Sequence, residues 1–136
     1  MDNCVFCKIV KGEIPCIKIY EDDNFLVFLD IHPINKGHTL IIPKQHYNNL
    51  FEIDNKEILE NYFIIIKKIS DVLKKVLNSD GNSIHMDNNV EQKILHSHVH
   101  IIPRFNDDKI KMMSGGTDSK WDEMEEIGEK LKKELI

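Results

Sequence analysis

Three histidines alternate with other residues in His96-Ser97-His98-Val99-His100-Ile101-Ile102-Pro103. In a strand successive side chains point to opposite faces, so His96, His98 and His100 share one face, about 6.8 Å apart. Ile94 and Ile102 extend that face, while Leu95, Val99 and Ile101 line the other. A helix would scatter the rings around its axis, and the β-branched neighbours also favour a strand. A row of imidazoles titrating near neutrality can bind metal, attack as nucleophiles or move protons. Such a row is too regular for the solvated face of an ordinary amphipathic strand.

The rest of the chain must supply a sheet to hold that strand. At 136 residues it has the length of one domain, taken as residues 1–136 with a core over about 4–104. Val5 to Lys11 reads as a short helix stopped by Gly12 and Pro15. Residues 16–20 and 25–30 read as strands joined by a polar turn, and Phe25-Leu26-Val27-Phe28-Leu29 is apolar enough to be buried on both faces. That turn lacks the glycine and distal glutamate of a calcium loop. Thr39 to Pro43 is a third strand. Residues 55–77 repeat Ile58, Leu59, Tyr62, Phe63, Ile65, Ile66, Ile69, Val72, Leu73 and Val76 at three- and four-residue steps, with Asp54 and Glu57 placed for a capping box and the lysines at 67, 68, 74 and 75 mainly off the stripe. Asn82 to Met86 is a fourth strand. Residues 105–118, which contain Gly115-Gly116, read as a flexible polar segment. Ser119 is placed to cap a final helix with Trp121, Met124, Ile127, Leu131 and Leu135 on one face.

A net charge of −5 argues against a general nucleic-acid or membrane-surface binder, since both need a basic field. No apolar run is long enough to cross a bilayer, and the N-terminus lacks a basic-then-apolar leader pattern. Three cysteines, Cys4, Cys7 and Cys16, point to a reducing compartment, hence a cytoplasmic protein. Cys4 and Cys7 have the spacing of a metal clamp or a redox pair. The redox reading needs a thioredoxin-like βαβ context, and that pattern is missing; zinc needs two further ligands that spacing alone does not name. Asp30 closes an apolar strand before a proline loop. It reads either as a turn former or as an acceptor for two ribose hydroxyls.

His-Ser-His-Val-His-Ile-Ile, followed by Pro103-Arg104, resembles the signature of the histidine triad (HIT) family, with Ser97 standing where a hydrophobe is usual. Phe28-Leu29-Asp30-Ile31, Pro33 and Gly37-His38-Thr39-Leu40-Ile41-Ile42-Pro43-Lys44 also resemble that family. The resemblance implies an α+β fold, a five-stranded antiparallel sheet packed by one long helix, a short N-terminal helix and a C-terminal helix. It implies a nucleotide hydrolase or transferase acting on AMP conjugates or dinucleoside polyphosphates, usually as a homodimer. His98 would attack the α-phosphate, His100 would bond a phosphate oxygen, His96 would orient His98 and Gln92 would lie near the scissile phosphate. Asp30 would hold the ribose, Phe6, Ile9, Phe28 and Ile31 the purine, His38 would border the phosphate, and Asn88 would be the family's nucleotide-binding loop asparagine. Cys4, Cys7, His46 and His96 would hold a structural zinc. Each of the four base-pocket residues is equally a core residue on sequence grounds alone. In one segment the chain departs from the family: Val90-Glu91 stands in a shorter loop where glycines normally approach the phosphate. A non-catalytic nucleotide-binding module with the same zinc is the alternative.

Overall fold

The computed structural model describes residues 3–110 and 119–135. Its elements run α1 (Val5–Val10), β1 (Lys18–Glu21), β2 (Phe25–Leu29), β3 (Thr39–Pro43), a 3-10 turn (Leu50–Glu52), α2 (Lys56–Leu77), β4 (Gly81–His85), β5 (Val99–Arg104) and α3 (Trp121–Leu135). The fold is α+β, and the strands form one antiparallel sheet in the order β1-β2-β3-β5-β4.

Strand alternation sorts the apolar side chains into two layers. Phe25, Val27, Leu29, Ile41, Val99 and Ile101 face α2 and α3. Leu26, Phe28, Leu40 and Ile42 face the other way and meet Phe6 of α1. The uninterrupted apolar run of β2 is therefore buried on both faces, as its composition requires. Two glycines allow close approach. A Cβ on Gly128 of α3 would meet Ile17 at 2.7 Å, and one on Gly37 would collide with Leu77. Gly37 also has φ +82, a conformation that costs a side-chain-bearing residue strain.

Local chemistry shifts several boundaries. The triad segment becomes strand only at Val99, leaving His96, Ser97 and His98 just outside β5. The ladder between β3 and β5 ends at Ile41↔Val99, and the Ser97 N–H turns to the Tyr47 carbonyl at 2.7 Å. Pro43, farther along β3, has no N–H to continue the ladder. Leu95 is 58% exposed, so it does not join the apolar face expected of it. At the start of α2 the cap is Asn55, whose side chain accepts from the Ile58 N–H; Asp54 forms no capping box. α3 begins at Trp121, its first helical bond running from the Met124 N–H to the Lys120 carbonyl, which leaves Ser119 before the capping position. Trp121 is 40% exposed rather than core. Gly115-Gly116 lie outside the described residues.

No helix among the described residues is long and apolar enough to cross a membrane.

Candidate active site

Two groups of side chains meet at His96. Cys4 caps α1, its Sγ accepting from the Cys7 N–H at 3.2 Å, which turns both thiols to one side. His46 enters from the loop after β3 and His96 from the segment before β5. The ligand atoms of Cys4, Cys7, His46 and His96 lie within 4.8 Å of one another. Hydrogen bonds fix which ring nitrogen is free. His96 Nε2–H donates to the Pro43 carbonyl at 2.7 Å, so Nδ1 carries the lone pair, 3.3 Å from Cys4 Sγ and 3.5 Å from Cys7 Sγ. His46 Nε2–H donates to Asn48 Oδ1 at 2.9 Å, and its Nδ1 stands 3.2 Å from Cys7 Sγ. Burial and then the neighbouring Cys4 raise the Cys7 pKa to about 11. A divalent cation would relieve that crowding. Two sulfurs and two correctly protonated imidazoles are the donor set of a closed, four-coordinate structural zinc. The residues fit the ion.

The second group faces a cavity of about 400 Å³. His98 Nδ1–H donates to the His96 carbonyl at 2.8 Å, leaving Nε2 unprotonated in a neutral ring. Burial lowers the His98 pKa, so the neutral form prevails. His38 is oriented by the backbone: the Ile34 N–H donates to Nδ1 at 3.0 Å. The proton of His38 must therefore sit on Nε2, which donates to His100 Nδ1 at 2.9 Å. His100, its own Nδ1 occupied as an acceptor, keeps its proton on Nε2 as a donor for a ligand. Burial, then the adjacent His98 and His38, lower the His100 pKa to about 3. The row thus holds a neutral imidazole with a bare Nε2 at His98 and a fixed N–H donor at His100, with ring centroids 5.0 Å apart.

Asp30 Oδ1 accepts from the His32 N–H at 2.8 Å, and Oδ2 lies 3.5 Å from His38 Nε2. Asp30, His38 and His100 also converge within 4.8 Å. They do not make a second metal site of this protonation pattern, because His38 Nε2 carries the proton that the Ile34 N–H excludes from Nδ1.

Of the residues singled out in the sequence, Phe6, Ile9, Phe28, Asp30, Ile31, His38, His98 and His100 all line this one cavity. Phe6 sets its edge against His98 at 5.2 Å. His96 lies behind the cavity with Cys4, Cys7 and His46. Gln92 and Asn88 are not among the lining residues. The Gln92 amide donates to the Asn48 and Ile94 carbonyls at 2.6 and 2.8 Å and accepts from the Asn89 N–H at 2.9 Å. Asn88 Oδ1 accepts from the Leu50 N–H at 2.9 Å. Both brace the loop between β4 and β5 instead of reaching the cavity. The loop sends Asp87, Glu91 and Lys93 to the lining. Glu91 stood out in the sequence as a departure, but Asp87 and Lys93 did not. The one available signal for Asp87 was its position directly after the β4 pattern.

The buried neutral histidines His38, His98 and His100 make stability depend on acid. His38 and His100 have pKa values below the ordinary 6.5, mainly through burial. The unfolded chain therefore binds more protons below pH 6.5, and stability falls as pH drops through that value toward the His100 value of about 3. Each proton taken up on unfolding contributes a slope of up to about 1.4 kcal/mol per pH unit. Urea midpoints at pH 7 and pH 5 should show the loss, with a shallower slope in His100→Gln. Equal midpoints would contradict the buried, neutral state of these rings.

A five-stranded sheet with imidazoles of fixed tautomer along the approach to its fourth strand in sheet order defines a histidine-triad protein. The chain belongs to the HIT family: the HIT domain model matches residues 11–107. An uncharacterized HIT-like protein of Methanocaldococcus jannaschii is 48% identical over 107 residues, covering 77% of this chain and 81% of that protein. An adenosine 5′-monophosphoramidase of Schizosaccharomyces pombe is 39% identical over 110 residues, 78% of this chain and 77% of its own length. Among solved structures, a zinc-bound histidine triad family protein from Mycobacterium smegmatis superposes with TM-score 0.86 at 37% identity, covering 98% of this chain and 94% of that one.

Proposed function

We propose that this chain is a nucleotide hydrolase or transferase. It cleaves the α-phosphate bond of a purine nucleoside phosphoramidate or dinucleoside polyphosphate through a nucleotidyl-His98 intermediate and releases a nucleoside monophosphate. The observation that carries the reading is the His98 Nδ1–H bond to the His96 carbonyl, which leaves Nε2 as the basic nitrogen of a cavity-lining ring. In the first step Nε2 forms a bond to the α-phosphorus as the bond to the leaving group breaks, and the leaving group departs with its electron pair and takes up a proton. The His100 Nε2–H holds a non-bridging phosphate oxygen, and because His38 fixes it in advance it needs no reorganisation as charge moves. Water then attacks phosphorus and His98 leaves. Phe6, Ile9, Phe28 and Ile31 hold the purine, and Asp30 accepts from the ribose hydroxyls. Gln92 serves the site indirectly, by tying residues 89 and 94 to Asn48.

Cys4, Cys7, His46 and His96 hold a structural zinc, whose contribution is to pin α1 and the His96 backbone in place. Three free cysteines agree with a reducing, cytoplasmic setting. Quenching a reaction with adenosine 5′-phosphoramidate in alkaline denaturant, which preserves a phosphorus–nitrogen bond to imidazole, and mapping the adenylyl group by mass spectrometry tests the reading. A +AMP adduct on His98 is expected; release of AMP with no adduct at early times, or an adduct on another residue, would refute it. Binding of AMP without turnover of any α-phosphate ester or amide would instead favour a nucleotide-binding module.

The chain acts as a homodimer. β4 is an edge strand carrying Ile84 at 52% exposure, and α2, which packs beside it, exposes Phe63 at 72% and Ile64 at 61%. Covering these is the simplest use for them. Sedimentation at micromolar concentration should give a dimer, and Phe63→Asp with Ile84→Lys a folded monomer. A monomeric wild type would end this assignment.

A further inference from the structure

His85, on edge strand β4, takes no part in the mechanism above. It is the cross-strand partner of His100, with ring centroids 6.0 Å apart. His38, His100 and His85 thus form a second row of imidazoles, running across the sheet. Hydrogen bonds fix the protons of His38 and His100, but not that of His85. Its Nε2 is shut off from solvent and has no hydrogen bond. Asp87 Oδ1 lies 3.0 Å from that nitrogen, an ion-pair distance, yet off the direction that a ring N–H requires. A buried nitrogen left in this state calls for a physical reason.

Charge supplies one. The cavity is lined by three carboxylates, Asp30, Asp87 and Glu91, and by Lys93 as the one non-histidine cation among its described residues. Glu91 and Lys93 are exposed, so solvent screens both. Asp30 faces the ribose on the reading above. Half-buried Asp87 remains, and its charge is felt at both His98 and His100. A nucleotide phosphate seated on these two neutral rings therefore meets a carboxylate. A second proton on His85 would make His85 and Asp87 a neutral pair, and the phosphate's own charge favours that proton. The groups around His85 offer no substitute. His98 and His100 are neutral, and Arg104, farther along the same face of β5, is tied to Asp108 by two bonds. His32 is exposed and lies on the far side, beside Asp30.

We infer that His85 is a charge-compensating residue, which takes up a proton when the phosphate of a nucleotide enters the cavity and so links nucleotide binding to proton binding. This rests on the cavity being a nucleotide site. It does not rest on hydrolysis, and it holds equally for a nucleotide-binding module.

Calorimetric titration of the zinc-loaded full chain, in two buffers of unlike ionisation enthalpy, counts the protons. The probe is the methyl ester of AMP, whose single negative charge does not titrate near neutrality; adenosine is the control without phosphate. At pH 7.5 wild type should take up about 0.3 to 1 proton per methyl ester bound, and affinity should fall as pH rises above neutrality, because the complex binds more protons than its free partners. His85→Gln, which has no proton to gain, should show no uptake, a flatter pH profile and about fivefold weaker binding at pH 7. On an Asp87→Asn background the same substitution should cost less than about twofold, since the carboxylate it offsets is gone. Adenosine should bind wild type and His85→Gln alike and without uptake, which shows that the variant is folded. No uptake by wild type, uptake that persists in His85→Gln, or an equal loss with and without Asp87 would overturn the inference and leave the nucleotide site standing. Failure of wild type to bind either ligand would remove the nucleotide reading and this inference with it.

Discussion

His98→Ala should lower kcat/KM for AMP release from adenosine 5′-phosphoramidate by on the order of 10³-fold or more, with AMP still bound at close to wild-type affinity. The size follows from what is lost. On the proposed mechanism His98 supplies the attacking electron pair, and its orientation is fixed by a donor bond to the His96 carbonyl at 2.8 Å. The neighbouring triad and phosphate-side rings cannot take over. His38 Nε2 and His100 Nε2 both carry protons, and His96 turns its lone pair toward Cys4 and Cys7. His100→Asn removes one donor to the phosphate and not the nucleophile, so it should cost less, about 10²-fold, and mainly in kcat. The order of the two losses distinguishes nucleophilic catalysis from simple phosphate binding. His98→Gly partially rescued by added imidazole would strengthen the assignment. Retention of a tenth or more of wild-type turnover in His98→Ala would refute it.

The fold was legible because burial writes itself into residue pattern. β2 is a continuous apolar run because both faces are covered, and β3 repeats the device with Leu40 and Ile42 on one side and Ile41 on the other. The stripe from Ile58 to Leu73 marks the buried face of α2. Eight cavity residues were legible through family resemblance, not through composition: Phe6 or Ile9 alone reads as ordinary core. What stayed hidden depends on backbone partners that residue types do not announce. The His38 tautomer is set by the Ile34 N–H and that of His98 by a carbonyl two residues earlier. The competition between Asp54 and Asn55 for the α2 cap turns on one residue of register. The bonding of Gln92 and Asn88 within the loop has a related origin. In a loop this short, with Asn89 and Glu91 both at positive φ, backbone N–H groups and carbonyls need partners, and these two side chains supply them. The same loop geometry brings Asp87 to the cavity.

Removing zinc should destabilise the protein strongly without touching a cavity residue. Cys4, Cys7, His46 and His96 join three separate segments: the start of α1, the loop after β3 and the approach to β5. Without the ion, burial and then the neighbouring Cys4 hold the Cys7 pKa at about 11. A cation bound about a thousandfold above its dissociation constant contributes about 4 kcal/mol. For a domain of this size, that loss lowers Tm by roughly 10–16 °C. Cys7→Ser and exhaustive chelation should therefore produce similar downward shifts, and chelation should not shift Cys7→Ser further. Because the thiols bind as thiolates, zinc affinity should also fall as pH drops, about tenfold per pH unit for each proton displaced. Turnover should decline along with the metal, since the His96 carbonyl that orients His98 belongs to one of the four proposed zinc ligands. His98→Ala and His100→Asn should retain one zinc per chain by metal analysis, because neither residue belongs to the donor set. Loss of zinc in His98→Ala, or a Tm unchanged by chelation, would mean that the ion sits elsewhere or contributes nothing to the fold. Either result would also remove the assigned link between α1 and the catalytic histidine.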